Sequence, residues 1–471
     1  MFNTFIEKLN TIINVSNDIL WTYVLIAPLI LLGLYFTFKT RFVQFRYIKE
    51  MFRLLNDGAT AKKEKGSVSS FQAFCISTAS RVGTGNLAGI AIAISVGGPG
   101  AIFWMWLIAL IGSASSFVES TLAQIYKQPD GNGAYIGGPA YYMEKALNMK
   151  WMGIIFSILI TICFGLVFNS VQSNTISLAL NEAFGVNRIL VGAILTLLTL
   201  SIIFGGIHRI AKVSEIIVPI MASAYILVAL FVVITNISEL PAMFALIFEN
   251  AFGVKQAVGG GIGGALLIGI KRGLFSNEAG MGSAPNAAAT ANVSHPVKQG
   301  LIQTLGVFTD TIVICSCTAF IILLSDVDLS GGLTGIQLTQ NALSSQIGSF
   351  GSIFIAICVL LFAFSSIVGN YYYGEANIEF LTKKKIYLTL YRICVAIMVL
   401  FGATVSMDIV WNLADVFMAL MAITNLIAIA LLGKIAFKAL DDYRAQKKAG
   451  IKDPVFKASS IPELKNVTEW N

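Results

Sequence analysis

Long apolar runs separated by short polar gaps dominate the chain, and they decide the solvent it folds in. Eleven can be drawn: 19–37, 71–97, 100–126, 151–181, 188–206, 213–236, 257–291, 303–324, 349–374, 386–406 and 409–436. A helix needs about 20 apolar residues to cross a bilayer core. Only 12% of the 471 residues are charged and 56% are hydrophobic, where a soluble domain carries about 25% charge. That balance excludes a cytoplasmic enzyme, a secreted disulfide scaffold and a nucleic-acid-binding domain. Two-residue alternation is absent, so the expected class is an all-α polytopic membrane protein with about eleven transmembrane helices and the lipid bilayer as its partner.

Charge placement orients the spans. Eight basic residues fall between Lys39 and Lys65, and seven between Lys438 and Lys465. The gap 374–385 holds Lys383, Lys384 and Lys385, whereas 325–348 holds Asp326 and Asp328 and no cation. Cations mark the cytoplasmic side. A multi-pass cell-membrane protein with its N-terminus outside and its C-terminus inside satisfies every gap. The start, MFNTFIEKLN, lacks a basic leader, so the first run reads as a retained span rather than a signal peptide.

Two runs are too long. Run 257–291 would reach about 52 Å as one helix, against a core of about 30 Å. Run 71–97 is long as well. Both carry glycine and polar residues at mid-run: Ser80-Arg81-Val82-Gly83-Thr84-Gly85-Asn86 in one, Lys271-Arg272-Gly273 and then Ser276-Asn277-Glu278-Ala279-Gly280 in the other. They read as discontinuous helices. With the first run set aside, ten remain, and the two odd runs open each set of five. Five is an odd number, so the second set must be inverted relative to the first. The expected division is 1–70 (outer N-terminus, first span and basic segment), 71–236 (first five-helix repeat), 257–436 (inverted second repeat) and 437–471. The last is expected to be a short cytoplasmic helix followed by flexible chain, with no assigned function. Broken helices at matching positions of two halves point to a transporter site at the membrane midplane. Long, tilted, glycine-packed helices are the competing reading.

A break frees backbone groups that hydrocarbon cannot satisfy. The N–H groups of Gly83, Thr84 and Gly85 suit a carboxylate. Freed carbonyls and the Asn86 amide suit Na⁺. Ser366 and Asn370, four apart, share one helix face. Gln172 is a long amide inside an apolar run, equally able to bond a neighbouring helix. Arg81, Lys271, Arg272 and Arg392 lie inside spans with the acids Glu119, Glu215, Glu278, Asp310 and Asp415. Such charges tend to pair. Arg81, Arg272 and Glu278, beside the breaks, are expected to form gating or structural ion pairs. A proton relay through Glu278 is the alternative.

Other signals are weak. Gly259, Gly261 and Gly264 fit G-x-G-x-x-G, but no strand precedes them, so tight packing explains them. No Walker sequence and no nucleophile–base pair is present, so the chain is not read as an enzyme. The six cysteines lie in apolar stretches without zinc-type spacing, and two histidines argue against a histidine metal or haem site. No cofactor and no obligate protein partner are expected.

Gly83-Thr84-Gly85-Asn86, Gly97-Gly98-Pro99-Gly100-Ala101, Phe103-Trp104-Met105-Trp106, Gly137-Gly138-Pro139, and above all the stretch from Arg272 to Pro285 containing Ser276-Asn277-Glu278-Ala279-Gly280, resemble the alanine/glycine:cation symporter family across essentially the whole chain. The resemblance implies a LeuT-type five-plus-five fold with one extra N-terminal helix. It implies symport of a small neutral amino acid (alanine, glycine or glutamine) with Na⁺, or less often H⁺. It also implies that Thr84, Gly85 and Asn86 form the carboxylate and ion end of the pocket and that Gln172 lines it. Phe275 becomes an aromatic wall. Ser365 and Ser366 become sodium-site hydroxyls, completed by carbonyls near Ala79 and Val82. One departure stands out: many family members carry Trp where this chain has Asn370. Asn leaves more room and offers a donor and an acceptor, which favours glutamine. The competing reading is that Asn370 merely bonds a neighbouring helix. A sodium-independent exchanger and an ion channel remain as rivals in function.

Overall fold

A computed structural model describes residues 11–60, 67–131, 133–252, 261–329 and 331–470. Lys62, Lys63, Lys65 and Gly259 lie outside the described residues. Among the described residues, eight helices are long and apolar enough to cross a bilayer: α1 (Thr11–Lys39), α5 (Ala101–Ile125), α6 (Lys150–Phe184), α8 (Gly206–Thr235), α12 (Pro296–Leu323), α14 (Phe350–Leu381), α15 (Lys385–Thr404) and α16 (Met407–Lys448). The run expected at 188–206 is the shorter α7 (Arg188–Ile203). The two overlong runs are divided. The first gives α3 (Ser70–Arg81) and α4 (Gly85–Gly97), the second α10 (Gly261–Asn277) and α11 (Ala284–Thr290). Lys271-Arg272-Gly273 stays helical, so the second break begins only after Asn277.

The connections carry helices of their own. α2 (Ile48–Thr60) buries Met51 and Leu54, while Arg53 on its other face pairs with Glu50 and Asp57. α9 (Leu240–Phe252) lies between α8 and α10 in the chain, and α13 (Gly335–Ile347) between α12 and α14. A two-residue hairpin pairs Gln128–Pro129 with Tyr135–Ile136.

Packing sorts the spans into two groups. α5 runs along α10, α11 and α12, and α3 and α4 join the same group. α6 packs along α14 and α15, and α7 along α15. Each group takes helices from both halves of the chain. The outer faces of α7, α8 and α15 leave Leu197, Ile220, Leu227, Ile234 and Ile397 largely exposed, which suits lipid rather than water.

The tail departs from the expected flexible chain. α16 continues unbroken to Lys448, and the following residues fold back against the end of α5 and the start of α12. Phe456 and Ile461 are buried. The Phe456 N–H donates to Ser294 O, Thr468 Oγ1 to Lys127 O and Trp470 Nε1 to Gln124 O. A few apolar residues in an otherwise polar tail are enough to seat it, because each finds a partner surface.

Candidate functional site

The first break can be followed bond by bond. Val82 N still donates to Thr78 O, the last helical bond of α3. In a continuous helix Gly83 N would donate to Ala79 O and Thr84 N to Ser80 O. Instead Gly83 N donates to Asn86 Oδ1 (2.9 Å) and Thr84 N to Gln172 Oε1 (2.9 Å). Thr84 Oγ1 donates to the same Gln172 oxygen at 2.7 Å. The freed Ala79 carbonyl accepts from Ser366 Oγ at 2.8 Å, and Val82 O lies 3.5 Å from that hydroxyl. A Cβ on residue 83 would sit 2.2 Å from Ser366 Oγ and 2.8 Å from Gln172 Oε1, so only glycine allows this approach.

Ala79 O, Val82 O and Ser366 Oγ form an oxygen-only set, the chemistry a hard cation needs. Ser365 does not join it: its hydroxyl donates to Phe362 O and faces Met221 Sδ. Neighbouring residues on a helix point about 100° apart, so only one of the two serines can face the break.

The second break is wrapped around a carboxylate from α5. Gly280 N donates to Glu119 Oε1 (3.1 Å), and Gly282 N to Glu119 Oε2 (3.0 Å). Asn425 Nδ2 adds a third bond at 2.8 Å. Glu278, Gly280 and Gly282 all have positive φ, which turns the amides inward as an anion nest. Glu278 accepts from Ser80 Oγ (2.7 Å) and Ser283 Oγ (2.6 Å). Arg81 does not pair with it. The guanidinium turns instead toward Gln303 O and Ser116 Oγ, and among the described residues it makes no ion pair. Two hydroxyls already occupy the Glu278 carboxylate.

Asp310, on α12, joins the two breaks. It accepts from Asn86 Nδ2 (2.7 Å), from Ser276 Oγ (2.9 Å) and from Thr311 Oγ1 (2.8 Å). The sequence marked it only as an embedded acid. Its cost in hydrocarbon was the one signal that it had work to do.

Asn370 is held by Ser80, whose Oγ lies 2.6 Å from Asn370 Oδ1. This is the neighbouring-helix bond of the competing reading. Ser80 has one hydroxyl hydrogen and two acceptors. If it donates to Glu278, the Asn370 amide turns to donate to it. Either amide orientation leaves one polar atom of this fully buried side chain without a protein partner.

Phe275 lies between two aromatic rings, stacked on Phe168 (centroids 4.5 Å) and tilted against Trp411 (4.6 Å). Above it Arg272 Nη2 reaches Asp415 at 2.5 Å, and Lys271 Nζ lies 3.3 Å from the same carboxylate. Asp415, Trp411 and Phe168 were not assigned roles from sequence, because their partners lie on distant helices. The structure thus brings together Ala79, Val82, Gly83, Thr84, Gln172 and Ser366, sets Asn86 and Phe275 beside them, and leaves Ser365 and Arg81 facing away.

The site straddles the two packing groups. Thr84–Gln172, Ala79–Ser366 and Phe275–Phe168 each cross from one group to the other. Asn86–Asp310 and Glu119–Gly280 stay within one.

A family model described as the sodium:alanine symporter family matches residues 6–458. A probable sodium/glutamine symporter, GlnT, of Bacillus subtilis (strain 168) is 60% identical over 464 residues, 98% of this chain and 96% of that protein. The amino-acid carrier protein AlsT of the same organism is 59% identical over 461 residues, covering 98% and 97%. Among solved structures, MhsT in complex with L-phenylalanine matches with a TM-score of 0.59 at 16% identity, over 80% of this chain and 96% of that one. That likeness is one of fold, the LeuT-type fold.

Proposed function

The chain belongs to the sodium:alanine symporter family, and from that premise we propose that it carries a neutral amino acid into the cell together with Na⁺ by alternating access. Membership makes it a multi-pass membrane transporter and not an enzyme. The observation that carries the rest is the set of bonds that cross between the two helix groups at the first break.

Na⁺ takes the oxygens of Ala79, Val82 and Ser366. The substrate carboxylate takes the N–H groups at Gly83 and Thr84, displacing the Gln172 and Asn86 oxygens that now cap them. The ion and the substrate carboxylate therefore attract each other beside the break, and both are needed to draw the groups together. Phe275, Phe168 and Trp411 close the outer side over the bound pair. Bonds within a group, at Glu119 and Asp310, keep each break in shape while the groups rock. Inward Na⁺ movement adds about 2.3 kcal/mol per charge per 100 mV.

Glutamine is the favoured substrate. Two things support it: the partnerless amide atom of Asn370, and the relative named as a probable sodium/glutamine symporter. H⁺ coupling is the second reading, supported by Glu278, a buried carboxylate shared between α3 and the second break. The N-terminus is assigned to the outside and the C-terminus to the cytoplasm.

The test is uptake of labelled glutamine and labelled alanine into proteoliposomes, with and without an inward Na⁺ gradient. Na⁺-driven glutamine uptake that excess alanine barely inhibits is expected. Na⁺-driven alanine uptake that ignores glutamine overturns the substrate assignment. Uptake that follows an imposed pH gradient and ignores Na⁺ moves the coupling to Glu278.

A further inference from the structure

α1 lies outside the two sets of five, yet it reaches the outer closure. π-helical turns occur at Gly85–Gly89, Thr161–Phe168 and Phe308–Cys315, on three helices that line the site, and another at Ile19–Leu25 on α1. Such turns shift the register of a helix and often mark functional positions. Trp21 lies in this one and is fully buried. Its indole N–H donates to Asp415 O at 3.2 Å. Its ring lies 5.4 Å from Lys271 Nζ, which is itself 3.3 Å from the Asp415 carboxylate. One turn earlier, Asn17 Nδ2 donates to Asn412 O at 3.1 Å. Other faces of α1 show Tyr23, Leu31 and Phe38 outward, as lipid requires. A helix that only filled space would need no polar contacts here. This one sends two N–H donors to α16 and an aromatic face to a cation on α10.

We propose that α1 is a working part of the outer closure and that Trp21 is the positioning residue that holds Lys271 on α10 against Asp415 on α16. The proposal rests on the transport reading above. Trp21 touches both sides of the closure at once, so its contacts are complete only when α10 and α16 are together. A group that contacts one state more than another shifts the balance toward it. Removing the indole therefore favours the outward-open form. Turnover falls because closing becomes harder, and the outside substrate concentration for half-maximal uptake falls as well, because more molecules wait open.

Cys315 supplies a native reporter. It is fully buried beneath the closure, 3.1 Å from Ser276 Oγ and 3.3 Å from Asn86 Nδ2. In a full-length chain that keeps Cys315 and has the other five cysteines replaced, a membrane-impermeant maleimide added outside sealed right-side-out vesicles reads outward opening. The parent is expected to be labelled slowly, and more slowly still with Na⁺ plus glutamine. Trp21→Ala is expected to be labelled at least about tenfold faster, the joint size of a cation–π contact and a hydrogen bond. It should also show lower turnover and a lower half-saturating glutamine concentration. Trp21→Phe keeps the ring face and loses the donor, and is expected midway. If either variant folds and shows unchanged labelling, with uptake reduced only in proportion to the protein present, Trp21 is a structural filler and the proposal fails. If parent labelling ignores Na⁺ and glutamine, the transport reading fails first and takes the proposal with it.

Discussion

Ser366 Oγ donates to the carbonyl oxygen of Ala79, so a side chain of one helix group satisfies main chain that the break in the other group has freed. Ser366→Ala removes that oxygen and leaves the carbonyl orphaned. The Na⁺ concentration for half-maximal uptake is expected to rise about tenfold or more, the equivalent of ~1.4 kcal/mol. Ser365→Ala, whose hydroxyl faces α8, is expected to shift it less than about threefold. Equal shifts in both variants would mean the ion is held elsewhere.

Gly83→Ala is expected to abolish uptake. The added Cβ would meet Ser366 Oγ and Gln172 Oε1 well inside contact distance. Overpacking of this kind costs about 1–3 kcal/mol, which a chain of this size should survive. Protein that is present and monodisperse in detergent but inactive is the expected result. Near-normal uptake would show that the two groups need not approach so closely here.

Much of this was legible in sequence. The two breaks announce themselves by their length and by glycine set among polar residues, and Gln172 meets Thr84 and the edge of Gly83 there. Three things were not legible. Which of Ser365 and Ser366 faces the break depends on the rotation of α14, which composition does not encode. The partner of an embedded charge depends on tertiary packing: Arg272 finds Asp415, 143 residues away, whereas among the described residues Arg81 donates to the neutral oxygens of Gln303 and Ser116. The tail reads as flexible because its few apolar residues are scattered, and only the folded surface around His295 gives Phe456 a partner.

Glu119 tests the second break. An ionised carboxylate accepts at both oxygens, which is what the N–H groups of Gly280, Gly282 and Asn425 require. Glu119→Gln turns an NH₂ toward at least one of them. A loss of ~1–3 kcal/mol of stability is expected, read as a lower Tm in a thermal-shift assay. An unchanged Tm would mean the break holds its shape without this nest.

Acid should weaken the contact between the start of α12 and α16 through His295. Val297 N donates to its Nδ1 (3.2 Å), which leaves the proton on Nε2, 3.1 Å from Asp442. Burial holds the imidazole pKa below the ordinary 6.5. The folded form therefore binds fewer protons than the unfolded one. Its contribution is present above about pH 6.5 and is lost as pH falls toward the lowered folded value. Tm is expected to drop between pH 7.5 and 5.5, and His295→Gln to flatten that drop. A parent that is as stable at pH 5.5 as at 7.5 contradicts this.

Asn370→Trp is expected to shift preference from glutamine toward alanine by at least about tenfold in relative uptake. The ring would fill the space and remove the partnerless amide atom. An unchanged preference would assign Asn370 to the Ser80 bond alone.

The most direct test of coupling is amino-acid-evoked entry of radiolabelled Na⁺ into proteoliposomes, measured alongside uptake of labelled glutamine. The predicted result is that glutamine drives Na⁺ entry in a fixed ratio, and that Ser366→Ala loses both fluxes together at low Na⁺. Glutamine uptake that carries no Na⁺ with it, or Na⁺ entry that needs no amino acid, would contradict symport across this site.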